Sequence, residues 1–318
     1  MKLFKQLGYA LIGALLLPAG AFADDNPVRD YPAQKIAAHT YVIHGPLGQP
    51  SPQNQGFMNN PGFIITKDGV VVIDPGASLE AGRMVLRQIA KHTALPVTYV
   101  FDTHIHGDHW LGNQAIAEAY PNAKLVAHPA MIRKAQEGGA EEWVALVNKL
   151  TDNYTASTQA VIPTIPVVDD QTIQTGGMHF HIYAPENAHS GTDIMIEVVE
   201  DSVLFTGDNV LNNYIARLDD ATFKGSIAAC DRAIGLHDKR YVPGHGQTGK
   251  VAIVKRYREY LSTLYAAVKE QYDAGKNDYE MKDAVAAKLK KFSNLPGFTE
   301  QLGKHISLAV LEIEANQQ

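Results

Sequence analysis

The chain of 318 residues carries 34 acidic against 28 basic side chains, a formal net charge of −6, and 45% hydrophobic residues. That balance excludes nucleic acid as the main partner, because phosphate binding rests on basic surface and counterion release. The length suffices for one large core, alone or with an appendage, and a single cysteine, Cys230, excludes a disulfide framework.

Residues 1–23 read as a secretory leader: Lys2 and Lys5, an apolar run over 7–17, then small residues ending in Ala21-Phe22-Ala23 before Asp24. The apolar run is shorter than the ~20 residues a bilayer span needs. The expectation is cleavage after Ala23, a periplasmic mature protein, and no membrane insertion once the leader is gone. Without Lys2 and Lys5 the balance is 26 basic against 34 acidic residues, a charge of −8.

Residues 24–34 form a polar, proline-punctuated lead, followed by a strand over 36–43. The loop GPLGQPSPQNQGFMNNP (45–61) holds seven Gly and Pro residues; loops of that length are more often functional than idle. A hairpin follows, with strands over 62–66 and 70–73 and the turn Lys67-Asp68-Gly69. The unbroken apolar run VVVI implies burial on both faces. A helix over 79–91 leads to a strand over 97–101. Beyond it the pattern predicts a helix at 112–120, a strand at 124–127 and helices at 129–136 and 141–154. Strands resume at 171–173, 178–183, 194–200, 202–206 and 239–242, with a helix at 225–236 before the last. After Val251 apolar residues at Val254, Tyr257, Leu261, Leu264, Val268 and Tyr272 mark one face of a long helix, and helices over 282–292 and 298–313 follow. The chain thus divides into the leader, a main domain over 24–250, and a C-terminal helical extension over 251–318 packed on it. Strands and helices alternate, with hairpins early and late. That pattern predicts an α/β (α+β) fold of mixed sheets covered by helices.

Chemistry concentrates in FDTHIHGDHW (101–110), which packs three imidazoles (His104, His106, His109) and two carboxylates (Asp102, Asp108) into one segment after an apolar strand. Such density is costly in a core unless it serves a site. His104 and His106 are two apart, so a strand end would project them to one side, and Gly107 would let the backbone turn to bring Asp108 and His109 back. Imidazole and carboxylate at this density suit a divalent cation, zinc first and iron or manganese next. Three more candidates end later strands among turn residues: His189 in PENAHSGTD, Asp208 in LFTGD and His245 in VPGHG.

Together, VVVIDPG (70–76), THIHGDH (103–109), His189, TGD (206–208) and GHG (244–246) resemble the metallo-β-lactamase superfamily, in the family's order. The resemblance implies an αββα sandwich of two mixed sheets. It implies one metal on His104, His106 and His189, a second on Asp108, His109 and His245, and Asp208 bridging them. Asp74 would orient ligands from behind, and Asp108 would orient the nucleophile or handle its proton. Asp102 is read as a cap outside the site. The 45–61 loop, with Phe57 and Met58, would form an apolar flap, and Asn212, Asn213 and Tyr214 would line the pocket.

Asp208 stands where some β-lactamases of this family carry cysteine, and this resembles glyoxalase II and other hydrolases. His106 departs from the carboxylate of the diiron oxygen reductases. With the leader, the chain is most similar to periplasmic metallohydrolases of sulfur-oxidation or quinoprotein clusters. The leading expectation is a dinuclear hydrolase of a small-molecule ester, thioester, lactone or amide. A mononuclear iron persulfide dioxygenase, a true β-lactamase and a non-catalytic metal-site binding protein are the alternatives. The pair His179 and His181 alternates with apolar neighbours, the pattern of a half-solvated strand; His128, at a strand end, is a weaker site candidate. His39, His44, His92, His237 and His305 are read as ordinary histidines, and Cys230 as a small buried side chain.

Overall fold

Residues 27–317 are described by the structure, a computed structural model; the expected leader lies outside them. One sheet takes seven strands in chain order: β1 (Ala33–Lys35), β2 (Thr40–Ile43), β3 (Gly62–Ile65), β4 (Val70–Ile73), β5 (Val97–Phe101), β6 (Lys124–Ala127) and β7 (Ile165–Pro166). It is antiparallel from β1 to β4 and parallel from β4 to β7. The other takes β8 (Thr172–Thr175), β9 (Met178–Tyr183), β10 (Met195–Val198), β11 (Val203–Leu211) and β12 (Arg240–His245), ordered β12-β11-β10-β9-β8, with only β11 and β12 parallel. Both sheets are mixed, as the sequence predicts.

Parallel neighbours require crossovers, and helices supply them. They are α1 (Leu79–Ala90), α2 (Gly107–Trp110), α3 (Asn113–Ala119), α4 (Pro129–Lys134) and α5 (Ala140–Leu150) around the first sheet, and α6 (Phe223–Leu236) between β11 and β12. Then follow α7 (Val251–Asp273), α8 (Lys282–Lys288) and α9 (Phe298–Ala315).

The period-two alternation of the strands sorts side chains into layers. In β4, Val71 and Ile73 join Phe101, Phe180, Ile196 and Phe205 between the sheets, whereas Val70 and Val72 face Met84, Val85 and Ile89 of α1. On the far side Met195, Leu204 and Tyr241 meet Cys230, Leu261, Leu264 and Ile306 of the later helices. Fully burying one such side chain contributes about 1.5–3 kcal/mol. The result is helices, sheet, sheet, helices. Among the described residues no helix is long and apolar enough to cross a membrane.

Some expectations shift. The polar lead supplies an edge strand, β1, and the strand expected over 36–43 begins only at Thr40, because the amides of Ile36 and Ala37 both turn back to the Thr40 carbonyl. β11 runs on through Asp208 to Leu211, well past the expected end. Between α4 and α5 a wide helical turn over 135–139 includes Gly138 at φ 111, a conformation open to glycine, and it turns α5 over the 104–109 segment.

Candidate metal centre

The site lies where β4, β5, β11 and β12 end, and each strand delivers its group by a different device. After β4, Asp74 adopts φ 52, uncommon for a side chain with a Cβ. It is held there from several sides. Its amide donates to Phe101 O at 3.0 Å, its carbonyl accepts from Asn59 Nδ2 at 3.0 Å, and its carboxylate accepts from Thr103 N, Thr103 Oγ1 and His109 Nδ1, each at 2.8 Å. In β11 the register against β12 shifts on both sides of Gly207, whose φ is 50. Such a bulge re-aims the neighbouring side chain, here Asp208. His245 is the last residue of β12. His189 sits in the loop after β9, where Ile194 N donates to Thr103 O at 2.8 Å and Ile105 N to Thr192 Oγ1 at 3.1 Å, stitching that loop to the 103–105 segment.

All seven candidate ligands converge. His104, His106, His189 and Asp208 form one group and Asp108, His109 and His245 another, each with its ligand atoms within 4.8 Å. Asp208 faces both groups: Oδ1 is 3.3 Å from His109 Nε2, and Oδ2 is 3.4 Å from His245 Nε2 and 3.6 Å from His189 Nε2. His245 Nε2 is 3.2 Å from Asp108 Oδ2, and His106 Nδ1 is 3.0 Å from His189 Nε2.

Outer partners decide which nitrogen faces inward. A carboxylate only accepts, so His109 Nδ1–H donates to Asp74 and leaves Nε2 free. Thr103 spends its hydroxyl proton on Asp74, so it accepts from His104 Nδ1–H at 2.9 Å. His245 Nδ1–H donates to the Met58 carbonyl at 3.0 Å. His106 is reversed: Nε2–H donates to Asp220 at 2.9 Å and Nδ1 turns inward. Four of the five candidate histidine ligands thus have their tautomer set by a second hydrogen bond, the usual arrangement at metal sites; His189 Nδ1 is buried without one.

The donors fit a divalent cation. His104 Nε2, His109 Nε2 and Asp208 Oδ1 are buried without a hydrogen-bond partner, a costly arrangement unless something else binds them. Donor separations of 3.0–3.6 Å match the roughly 3.3 Å edges of a tetrahedron with bonds of about 2.0–2.1 Å. Burial and the neighbouring imidazoles hold His104 well below the ordinary histidine range, and burial takes His189 down to about 3. Burial opposes charge at Asp108 and His245 too, but the opposite charges prevail: His109 and His245 hold Asp108 at about 2, and Asp208 and Asp108 raise His245 to about 10.

Other expectations need correction. His104 and His106 are not on a strand; β5 ends at Phe101, and His106 caps α2 from an extended conformation. Gly107 has no positive φ; its hydrogen is required because a Cβ would lie 2.9 Å from the Trp143 Cβ. Phe57 is fully buried beside Tyr31 and forms no flap, whereas Met58 lines the cavity. Asn212 donates to the Gln247 carbonyl at 2.7 Å and Asn213 accepts from Arg256 at 2.6 Å; of that trio only Tyr214 lines the cavity. His128 caps α4, accepting from Ala130 N at 3.3 Å. His179 and His181 bind Glu200 and Thr172, away from the centre. Asp102 is buried and accepts from Asn113 Nδ2 at 2.7 Å, and burial raises its pKa well above the carboxylate range.

Asp220 is the functional residue that sequence reasoning misses. It comes from the loop between β11 and α6, which the C-terminal helices hold in place. Ile215 N donates to Pro296 O at 3.0 Å, His305 Nε2 donates to Ala216 O at 3.0 Å, and Lys304 pairs with Asp219. Glu312 accepts from Phe223 N and Lys224 N at the start of α6. Asp220→Ala is therefore expected to weaken metal binding by about 10–100-fold, the usual effect of losing an outer partner, with less than about 1 kcal/mol lost in stability because Asp220 is half exposed. Titration of metal-free protein and a thermal melt check the two halves.

A family model described as "Metallo-beta-lactamase superfamily" matches residues 54–245. Among curated proteins, an atrochrysone carboxyl ACP thioesterase from Emericella nidulans is 23% identical over 264 residues, covering 79% of this chain and 75% of its own. Among solved structures, a metallo-beta-lactamase from Pontibacter korlensis matches with a TM-score of 0.60 at 20% identity, over 73% of this chain and 99% of that one. The stereoselective inverting sec-alkylsulfatase Pisa1 from Pseudomonas sp. matches with a TM-score of 0.66 at 15% identity, over 88% of this chain and 49% of that one, so this chain spans about half of it. At these identities the structural likeness speaks for the fold alone.

Proposed function

As the chain belongs to the metallo-beta-lactamase superfamily, we propose that it is an exported, periplasmic hydrolase that binds two divalent ions and cleaves a small-molecule ester, thioester, lactone or amide. The observation that carries this reading is the convergence of seven nitrogen and oxygen donors, four with orphaned buried atoms, at a cavity of about 350 Å³. His104, His106 and His189 would hold one ion and Asp108, His109 and His245 the other, with Asp208 between them. Bound there, the ions, zinc first and iron or manganese next, would bring the pKa of a water to about 7 and polarise the scissile carbonyl.

The chain's own groups do the rest. Asp108 lines the cavity and is placed to accept a hydrogen bond from the attacking water and orient it. Trp143, 4.9 Å from the His106 ring, and Met58 wall off solvent. The second donor group is built as fully as the first, with His109 held by Asp74 and His245 by the Met58 carbonyl. This supports two ions, and so hydrolysis over the mononuclear iron dioxygenase alternative. Asp208 in place of cysteine supports substrates other than β-lactams.

The test is metal content of protein isolated from the periplasm, followed by rates on a panel of chromogenic esters and thioesters. Chelation or His106→Ala should each lower kcat/KM by more than about a hundredfold, beyond the 10–100-fold cost of an outer partner. Metal-free protein with full activity would overturn the reading.

A further inference from the structure

The cavity beside the candidate metal centre is divided by chemistry. One wall is apolar: Trp143, Leu146, Val147 and Leu150 from α5, with Met58 opposite. The wall stands directly on the metal-binding segment, since α5 approaches Gly107 so closely that a Cβ there would meet Trp143. Leu150 is 37% exposed, one of few large apolar side chains left open among the described residues. Apolar surface beside so many charged groups carries a hydration cost that an apolar ligand group would relieve.

The charged lining points the same way. Glu142, Asp219 and Asp220 contribute negative charge, and the one arginine or lysine of the lining, Arg217, already donates to Asp219 at 2.5 Å. Out of reach of the two ions, an anionic group such as a phosphate would meet no unpaired arginine or lysine among these residues. There it would also lie near the carboxylates of Glu142, Asp219 and Asp220, which repel it.

Resting on the hydrolase reading, we propose that the substrate is an acyl ester or thioester whose acyl part is an apolar chain lying on Trp143, Leu146 and Leu150, and whose leaving group carries no phosphate. Water adds to the acyl carbon, the bond from that carbon to oxygen or sulfur breaks, the leaving alcohol or thiol takes one of the water's protons, and the other is released to solvent as the acid ionises. The products are a carboxylate and a neutral alcohol or thiol.

The experiment measures kcat/KM for p-nitrophenyl esters from acetyl to octanoyl with metal-loaded protein, and compares hexanoyl thioesters of N-acetylcysteamine and coenzyme A. Each buried methylene is expected to raise kcat/KM about three- to fourfold, the rate equivalent of about 0.8 kcal/mol, over at least the first four added carbons. The coenzyme A thioester should be at least about tenfold poorer than the neutral one. Leu150→Ala, at an exposed site that leaves folding intact, should flatten the chain-length slope. A level or falling profile, or equal rates on the two thioesters, would overturn the proposal while leaving hydrolysis standing. Binding of acetate, hexanoate and octanoate by calorimetry separates the two readings. Affinity that rises with length in a protein that turns over no ester would keep the acyl site and remove the hydrolase reading; affinity independent of length would overturn the acyl site.

Discussion

Asp208→Ala is expected to lower kcat/KM by more than about a thousandfold while the protein remains folded. Among the described residues, Asp208 faces both donor groups, with its oxygens 3.3 Å from His109 and 3.4 Å from His245 of one group and 3.6 Å from His189 of the other. Its removal would take a ligand from both proposed ions, whereas loss of an outer partner alone costs about 10–100-fold. It also leaves His109 and His245 without the charge that holds them. Metal stoichiometry should fall below two, and Asp208→Asn, which keeps shape and loses charge, should lie close to the alanine variant. Near-normal activity in either would show that the two groups work without a shared ligand.

Asp74→Ala is expected to have the second-largest effect, acting on stability and metal binding together. Its carboxylate takes the proton from His109 and both donors of Thr103, and Thr103 in turn accepts from His104. One buried group thus sets two of the inward-facing imidazoles. Its loss leaves three buried donors unsatisfied at about 1–3 kcal/mol each; allowing for relaxation, about 3–5 kcal/mol is expected. For a chain of this size that is roughly 5–8 °C in Tm, with a 10–100-fold loss of metal affinity. Asp74→Asn tolerates the positive φ but restores acceptance only in part, so it should fall between wild type and alanine. A melt unchanged in the alanine variant would remove Asp74 from this role.

How much of this was legible follows from sequence separation. The 104–109 cluster announces itself because four polar groups crowd six positions after an apolar strand, and the sheets announce themselves through runs such as Val70–Ile73. His179 and His181 were separable from ligands by the apolar residues between them. The reasons offered for the geometry fared less well. Strand alternation does not aim His104 and His106, and Gly107 is small for the sake of Trp143, not for its own torsion. Asp220 was invisible because it lies 114 residues from His106 and is one aspartate in an ordinary LDD. The Met58 carbonyl, 187 residues from His245, carries no side-chain signal at all. The clamp on the Asp220 loop sets side chains of α9, His305 and Glu312, on backbone groups of that loop and the start of α6, and composition and periodicity do not report where those backbone groups lie.

Metal titration of the metal-free protein, with activity followed on a hexanoyl ester at each step, distinguishes a two-ion hydrolase from every alternative. Activity should be absent without metal and reach its plateau only at two equivalents per chain, with His109→Ala and His245→Ala binding one and remaining nearly inactive. Full activity at zero or one equivalent, or retained in those two variants, would contradict it.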